Sequence, residues 1–227
     1  MERIQQHNED TRSLFLRLAP DSSFGFVPGQ FISVAMPIGS GIVRPYSIAS
    51  SPEDALLLEI CLNLVSGGEG SKYLFGLAPG AHLDFTGPFG AFTLTDAPNI
   101  ETVFVTETTA IAPIRPMIRR ALSAGDKPLI LHYAAKQKTG LLYGDEFAEL
   151  AREHQRFRYE PMVLQSASGN AALQEALLEH ARRLYVEADD RRNRHFYICG
   201  IGKGVMKIRD LLRSSGYERR AVQYEVW

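Results

Sequence analysis

The chain has 227 residues, enough for one large domain or two small ones. Its 45% hydrophobic and 22% charged residues, with a formal net charge of −1, fit a globular protein and argue against wholesale attraction to nucleic acid or an anionic membrane. No run approaches the roughly 18 apolar residues of a spanning helix, and the polar first ten residues carry no signal-peptide core. Cys61 and Cys199 make no disulfide framework, and the six histidines are scattered. A cytoplasmic, metal-free protein is the expectation.

In chain order, the first 95 residues read as β structure. Short apolar runs at 14–18, 31–35 and 56–62 recur between Gly, Pro and Ser, the punctuation of a small antiparallel barrel or sandwich. Between the second and third lies Arg44-Pro45-Tyr46-Ser47-Ile48-Ala49-Ser50-Ser51. Arginine offers a planar fork for a phosphate, tyrosine a flat face for a ring, and serine a hydroxyl for a ring nitrogen. On a strand Arg44 and Tyr46 share a face and Ser47 turns to the other. A flavin would suit that set; so would an ordinary turn entering a strand, since proline holds its neighbour extended.

Residues 96–99 read as a linker, and from Ile100 the period changes. A buried strand is expected at 102–106, then a helix with apolar residues at 114, 117, 118, 121 and 122, entered through Pro113 and stopped at Gly125. Strands are expected at 128–133, 158–163, 195–199 and 221–225, with helices between them that include 171–185 and 203–213. Five strands alternating with helices make an open parallel sheet over residues 100–227. Ligands of such sheets sit beyond the carboxyl ends of the strands, so residues 106–110, 134–136, 165–168, 199–200 and 225–227 are expected to line one crevice.

Taken in order, these segments resemble the ferredoxin–NADP(H) reductase superfamily along nearly the whole chain. The motifs are Pro28-Gly29-Gln30-Phe31, the Arg44–Ser50 run, Gly68-Glu69-Gly70-Ser71, Gly87-Pro88-Phe89-Gly90, Tyr197-Ile198-Cys199-Gly200-Ile201-Gly202 and the ending Glu225-Val226-Trp227. The resemblance implies a two-domain protein, an antiparallel β-barrel flavin domain followed by an α/β nucleotide-binding domain with a five-stranded parallel sheet. It implies that Arg44, with its neighbour Pro45, binds the pyrophosphate, Tyr46 stacks on the isoalloxazine, and Ser47 hydrogen-bonds near N5. Gly68, Gly70 and Ser71 open a short helix toward a phosphate, and Gly87–Gly90 is the turn that closes the barrel. Cys199 and Glu225 border the nicotinamide, Trp227 covers the flavin face, and Thr109 belongs to the nucleotide turn.

The pattern breaks in places. The family's glycine-rich turn, roughly Gly-x-Gly-Thr-Gly-Ile-Ala-Pro, reads Thr106-Glu107-Thr108-Thr109-Ala110-Ile111-Ala112-Pro113. Three glycines gain a β-carbon, and Glu107 is expected to set a carboxylate near the phosphates. The Ser-Arg that grips a 2′-phosphate is replaced by Gln165-Ser166-Ala167-Ser168, Asn63 stands where a lysine is common, and Lys136 offers only a point charge. Most of the family's first barrel strand is expected to be missing before Met1.

The resemblance therefore implies an FAD-dependent oxidoreductase, FMN remaining open, that moves a hydride between NAD(P)H and flavin, NADH being favoured over NADPH. Single electrons would pass to a separate ferredoxin- or flavodoxin-like protein, since no iron–sulfur cysteine cluster is present. Arg182-Arg183 and Arg191-Arg192-Asn193-Arg194 are candidates to face an acidic partner or to be a solvated helix end and loop. The alternative is a flavin-holding relay or binding module that has lost productive nicotinamide binding.

Overall fold

The computed structural model describes every residue except 40, 55, 95, 97 and 165–168. The first half builds two three-stranded antiparallel sheets. One orders β1 (Arg3–Asn8), β2 (Thr11–Arg17) and β5 (Leu57–Asn63); the other orders β4 (Ile42–Ser47), β3 (Phe31–Met36) and β6 (Asp84–Phe89). A bridge from Ile48 to Ile60 joins them into the barrel. Leu14, Ile32, Val34 and Ile60, inward-facing strand residues, lie inside with no solvent exposure, joined by Ile48 and by Leu74 of the following helix. Helix α1 (Glu69–Phe75) follows β5.

Two expectations are corrected here. A first strand is present: β1 pairs with β2 from Arg3 opposite Phe15. Its sequence RIQQHN carries no apolar alternation because it runs at a sheet edge, so only the pairing reveals it. Gly87-Pro88-Phe89 is the end of strand β6, with a cis Gly87–Pro88 bond, and not a plain turn. Proline is tolerated there because β6 is an edge strand whose register with β3 shifts.

The second half is a five-stranded parallel sheet in the order β11 (Val222–Val226), β10 (His195–Gly200), β7 (Thr102–Glu107), β8 (Leu129–Ala135), β9 (Phe157–Val163). All six residues of β7 and all seven of β8 are buried, as central strands covered on both faces require. Helices α2 (Ile114–Ala124) and α3 (Gly144–Glu153) cover one face, with Ile114, Met117 and Phe147 fully buried. Helices α4 (Gly169–Arg182) and α5 (Lys203–Ser214) cover the other, through Leu173, Leu177, Ile208 and Leu212. Pro116 sits in the first turn of α2, where no N–H partner is lost, and Gly125 ends the helix by donating to Ala121 O at 3.1 Å. Strand order reverses between β7 and β10, the place where such sheets open a crevice.

The two halves share one core. Ala49, Cys61, Phe92 and Leu94 pack into the same apolar cluster as Phe104, Met117 and Tyr197, with the Phe92 and Tyr197 rings 5.7 Å apart edge to face. A polar knot lies beside it. Glu59 of β5, 3% exposed, accepts from Arg115 Nη1 at 2.6 Å and from Tyr143 Oη at 2.7 Å. Arg115 also donates to Ala49 O at 3.0 Å and pairs with Glu146 at 2.8 Å, and its guanidinium lies 4.2 Å over the Tyr143 ring. Burial pushes the Glu146 carboxyl up, but hydrogen bonds from Arg115 and Arg119 outweigh it and hold the group below its ordinary range.

Candidate active site

The Arg44–Ser47 segment forms most of β4, paired so that Tyr46 faces Ile32 and Ser47 faces Phe31. With the start of α1 it lines a cleft of about 490 Å³ whose walls include Arg44, Tyr46, Ser47, Gly70, Thr109 and Trp227. Pro45, Gly68, Ser71 and Ile201 border the same space. Tyr46 is half-buried, and burial raises its phenol. Ser47 is buried and its hydroxyl has no hydrogen-bond partner, although it lines the cleft. A buried hydroxyl left unpaired is costly, so this one is set for a ligand atom. Ser71 is committed internally: its Oγ accepts from Val65 N–H at 3.0 Å and donates to Gly68 O at 3.1 Å, fixing the turn into α1. Arg44 is exposed and donates to Val43 O at 2.9 Å.

The chain's end closes the cleft. Trp227 extends the β11–β10 pairing: its N–H donates to Gly200 O at 3.0 Å and its carbonyl accepts from Gly202 N–H at 3.1 Å. The indole N–H donates to Cys199 Sγ at 3.3 Å, and the ring meets Phe31 edge to face at 6.2 Å. Cys199, opposite Glu225 in the ladder, is 1% exposed, and burial, then the Glu225 charge, pushes its thiol well above its ordinary range. It is a neutral, polarizable packing group and not a thiolate.

Burial also pushes the Glu225 carboxyl up to about 7, and its Oε2 is buried without a partner. An acid raised from 4.5 to about 7 is neutral in the folded protein while already ionised in the unfolded chain. Its contribution is therefore complete below pH 4.5 and is lost as pH rises through 7. Glu225→Gln, which fixes the neutral form, is expected to match the parent near pH 5 and exceed it by on the order of 2 kcal/mol near pH 8. Melting curves at the two pH values check this; an unchanged difference would show that Glu225 is ionised throughout.

Beside this cleft lies a second of about 630 Å³, lined by Thr108, Thr109, Lys136, Gln137, Gly140 and Asn170 among others. Asn63, Thr109 and Ile201 line both. In place of the expected single crevice there are two adjoining clefts, and of the residues expected to line it Thr106, Glu107, Cys199, Gly200, Glu225 and Val226 line neither. Residues 165–168, the expected phosphate determinant, lie outside the described residues.

The turn between the clefts departs from expectation at Glu107. The carboxylate is 2% exposed and does not face the open cleft: Oε1 accepts from Ile201 N–H and from Gln174 Nε2, both at 3.0 Å. Burial raises its pKa. It ties the end of β7 to the Gly200–Ile201 turn and α4, using a donor that the sequence order conceals. Thr108 adopts φ +48°, the left-handed region that a β-branched residue avoids, where the family motif has glycine. Tyr133 Oη donates to Thr108 O at 2.7 Å and holds it there.

The basic segment is also corrected. Arg194 is 6% exposed and paired with Glu101 and Asp189, Arg191 chelates Asp189, and Arg192 donates to Ser215 O at 2.7 Å. These guanidiniums bind the chain's own loop. Sequence reasoning missed Glu59, Arg115 and Tyr143 altogether. The signal for Glu59 was a lone acid inside the apolar run 56–62; Arg115 lies off the apolar stripe of α2 and gave none.

An Oxidoreductase FAD-binding domain model matches residues 1–94 and an Oxidoreductase NAD-binding domain model matches residues 104–210. Fold and matches together define an oxidoreductase that uses FAD and a nicotinamide nucleotide. The chain is 33% identical over 220 residues to ferredoxin–NADP reductase B of Sorangium cellulosum, covering 94% of this chain and 90% of that one. It is 27% identical to the reductase component of propane 2-monooxygenase from Mycolicibacterium goodii, covering 87% of this chain but 58% of that protein. The cytochrome P450 reductase GcoB of Amycolatopsis superposes with a TM-score of 0.84 at 26% identity, over 99% of this chain and 67% of that one. The protein belongs to the ferredoxin–NADP(H) reductase superfamily.

Proposed function

We propose that this protein takes electrons from NADH in preference to NADPH and delivers them singly to a small ferredoxin- or flavodoxin-like carrier or to the electron-accepting component of an oxygenase. The observation that carries the reading is the cleft in which Tyr46, an unpartnered buried Ser47 hydroxyl and Trp227 surround a space open to the α1 turn. The residues fit a flavin. Tyr46 offers a face, Ser47 a hydrogen bond, Gly68 and Gly70 close backbone approach, and Arg44 a phosphate fork.

When bound, FAD supplies the exchange between a two-electron donor and a one-electron acceptor. Trp227 holds the place of the incoming ring and keeps water from it. Once it moves, Cys199 and Glu225 form the floor against which a nicotinamide is oriented, the thiol because it is small and neutral. Thr108, Thr109 and Asn170 offer hydroxyl and amide donors along the second cleft. Among the described residues Lys136 is the one lysine or arginine lining that cleft, which the carboxylates of Glu9 and Asp10 also line. A 2′-phosphate gains little there, which supports NADH. Resemblance to oxygenase reductase components supports the acceptor class.

Thr108 at φ +48° and the non-glycine turn favour a second reading, a flavin relay with no productive nicotinamide binding. Anaerobic spectra decide between them. The expected result is a flavin spectrum that bleaches on adding NADH, at least tenfold faster than with NADPH. A flavin spectrum that neither nucleotide changes, but that bleaches once Thr106, Thr108 and Ala110 are replaced by glycine, would establish the relay.

A further inference from the structure

His132 on β8, Glu160 on β9 and His180 on α4 are separated in sequence and lie away from both clefts, on the sheet face that α4 and α5 cover. Their donor atoms converge. His132 Nδ1 stands 3.2 Å from Glu160 Oε2 and 3.1 Å from His180 Nε2, and the remaining side, His180 Nε2 to Glu160 Oε2, is 3.8 Å. Ligands about 2.0–2.1 Å from a tetrahedral zinc ion stand roughly 3.4 Å apart, so the three atoms trace one face of such a tetrahedron. Two imidazoles and one carboxylate are the ligand types that late first-row divalent ions accept.

The surroundings match that use. His132 is 2% exposed and its other nitrogen, Nε2, lies 2.6 Å from the Tyr185 hydroxyl. That contact directs Nδ1 at the other two groups, as a second hydrogen bond does for a metal-bound histidine. Tyr185 reaches it from the π-helical turn Arg183–Glu187 that continues α4. His180 and Glu160 are half-buried at the rim, their side chains 18% and 28% exposed, which leaves an entry path and room for water as a fourth ligand. Arg158 engages the other Glu160 oxygen, Oε1, leaving Oε2 to the cluster.

We propose that His132, Glu160 and His180 form a binding site for one divalent late transition-metal ion, zinc by preference, that clamps α4 to the sheet. The helix so held also carries Gln174, which bonds Ile201 O at 2.6 Å at the edge of both clefts.

The test is a titration of tag-free, chelator-dialysed, flavin-loaded protein with Zn²⁺ by calorimetry, and with Co²⁺ by visible absorption. One saturable equivalent is expected, with the intense ligand-field bands of four- or five-coordinate cobalt. His180→Ala and Glu160→Gln should each weaken binding at least tenfold, and Tyr185→Phe about tenfold. Substituting His154 with alanine should change nothing. Zn²⁺ should raise the melting temperature of the parent but not of His180→Ala, with circular dichroism confirming that each variant folds. No saturable binding of either ion, or binding unmoved by both His180→Ala and Glu160→Gln, would overturn the site.

Discussion

Arg115→Ala is expected to destabilise the protein by about 3–5 kcal/mol, the cost of leaving a buried partner charge uncompensated. Its guanidinium is the positive group for Glu59, which sits at 3% exposure in β5, and its loss would also strip donors from Ala49 O and Glu146. Tyr143 Oη alone, at 2.7 Å, cannot neutralise a carboxylate. Because Glu59 belongs to the barrel and Arg115 to α2, the damage falls on the junction of the two halves. Denaturant unfolding should show a lower midpoint, with flavin released before the second half unfolds. The pair Glu59→Gln with Arg115→Met should recover most of the loss, since two neutral groups of similar volume leave no buried charge. A loss of under 1 kcal/mol from Arg115→Ala, the range of exposed ion pairs, would show that water reaches Glu59 readily.

Trp227→Gly is expected to tighten nicotinamide-nucleotide binding by about 30- to 150-fold and to lower turnover. Trp227 is 38% exposed, so about three-fifths of the residue is covered, and its indole N–H bonds Cys199 Sγ. Partial burial of an aromatic ring with one hydrogen bond is worth roughly 2–3 kcal/mol. A nucleotide that must displace the ring loses that much apparent affinity. Without the ring no group competes for the place, so product leaves slowly. Difference spectroscopy with NAD⁺ and NADP⁺, alongside steady-state rates, separates the two effects. If neither affinity nor rate changed, Trp227 would not cover the reacting face.

The glycine-poor turn shows how sequence and structure divide the evidence. Thr106–Ala110 announced itself as a departure because the strand before it and the Ile-Ala-Pro entry after it kept the family pattern. Where Glu107 would point was not legible. Its partners, Gln174 and Ile201 N–H, come from elements 67 and 94 residues away, and the carboxylate turned inward to meet them.

By itself the sequence determined the period change near residue 100, the five strands of the second half with the helices after β7, before β10 and after it, and the cleft-lining Arg44–Ser47 run and Trp227. These rest on local alternation, helix entry and stop residues, and side-chain chemistry along a few consecutive positions, all short-range properties of the chain. It did not determine the edge strand β1, whose polar residues need only a paired neighbour, nor the knot of Glu59, Arg115 and Tyr143, nor the convergence of His132, Glu160 and His180. Each of those depends on which buried groups the fold brings within hydrogen-bonding distance. Only the tertiary structure decides that, because a buried polar group must be satisfied by whatever partner the packing supplies.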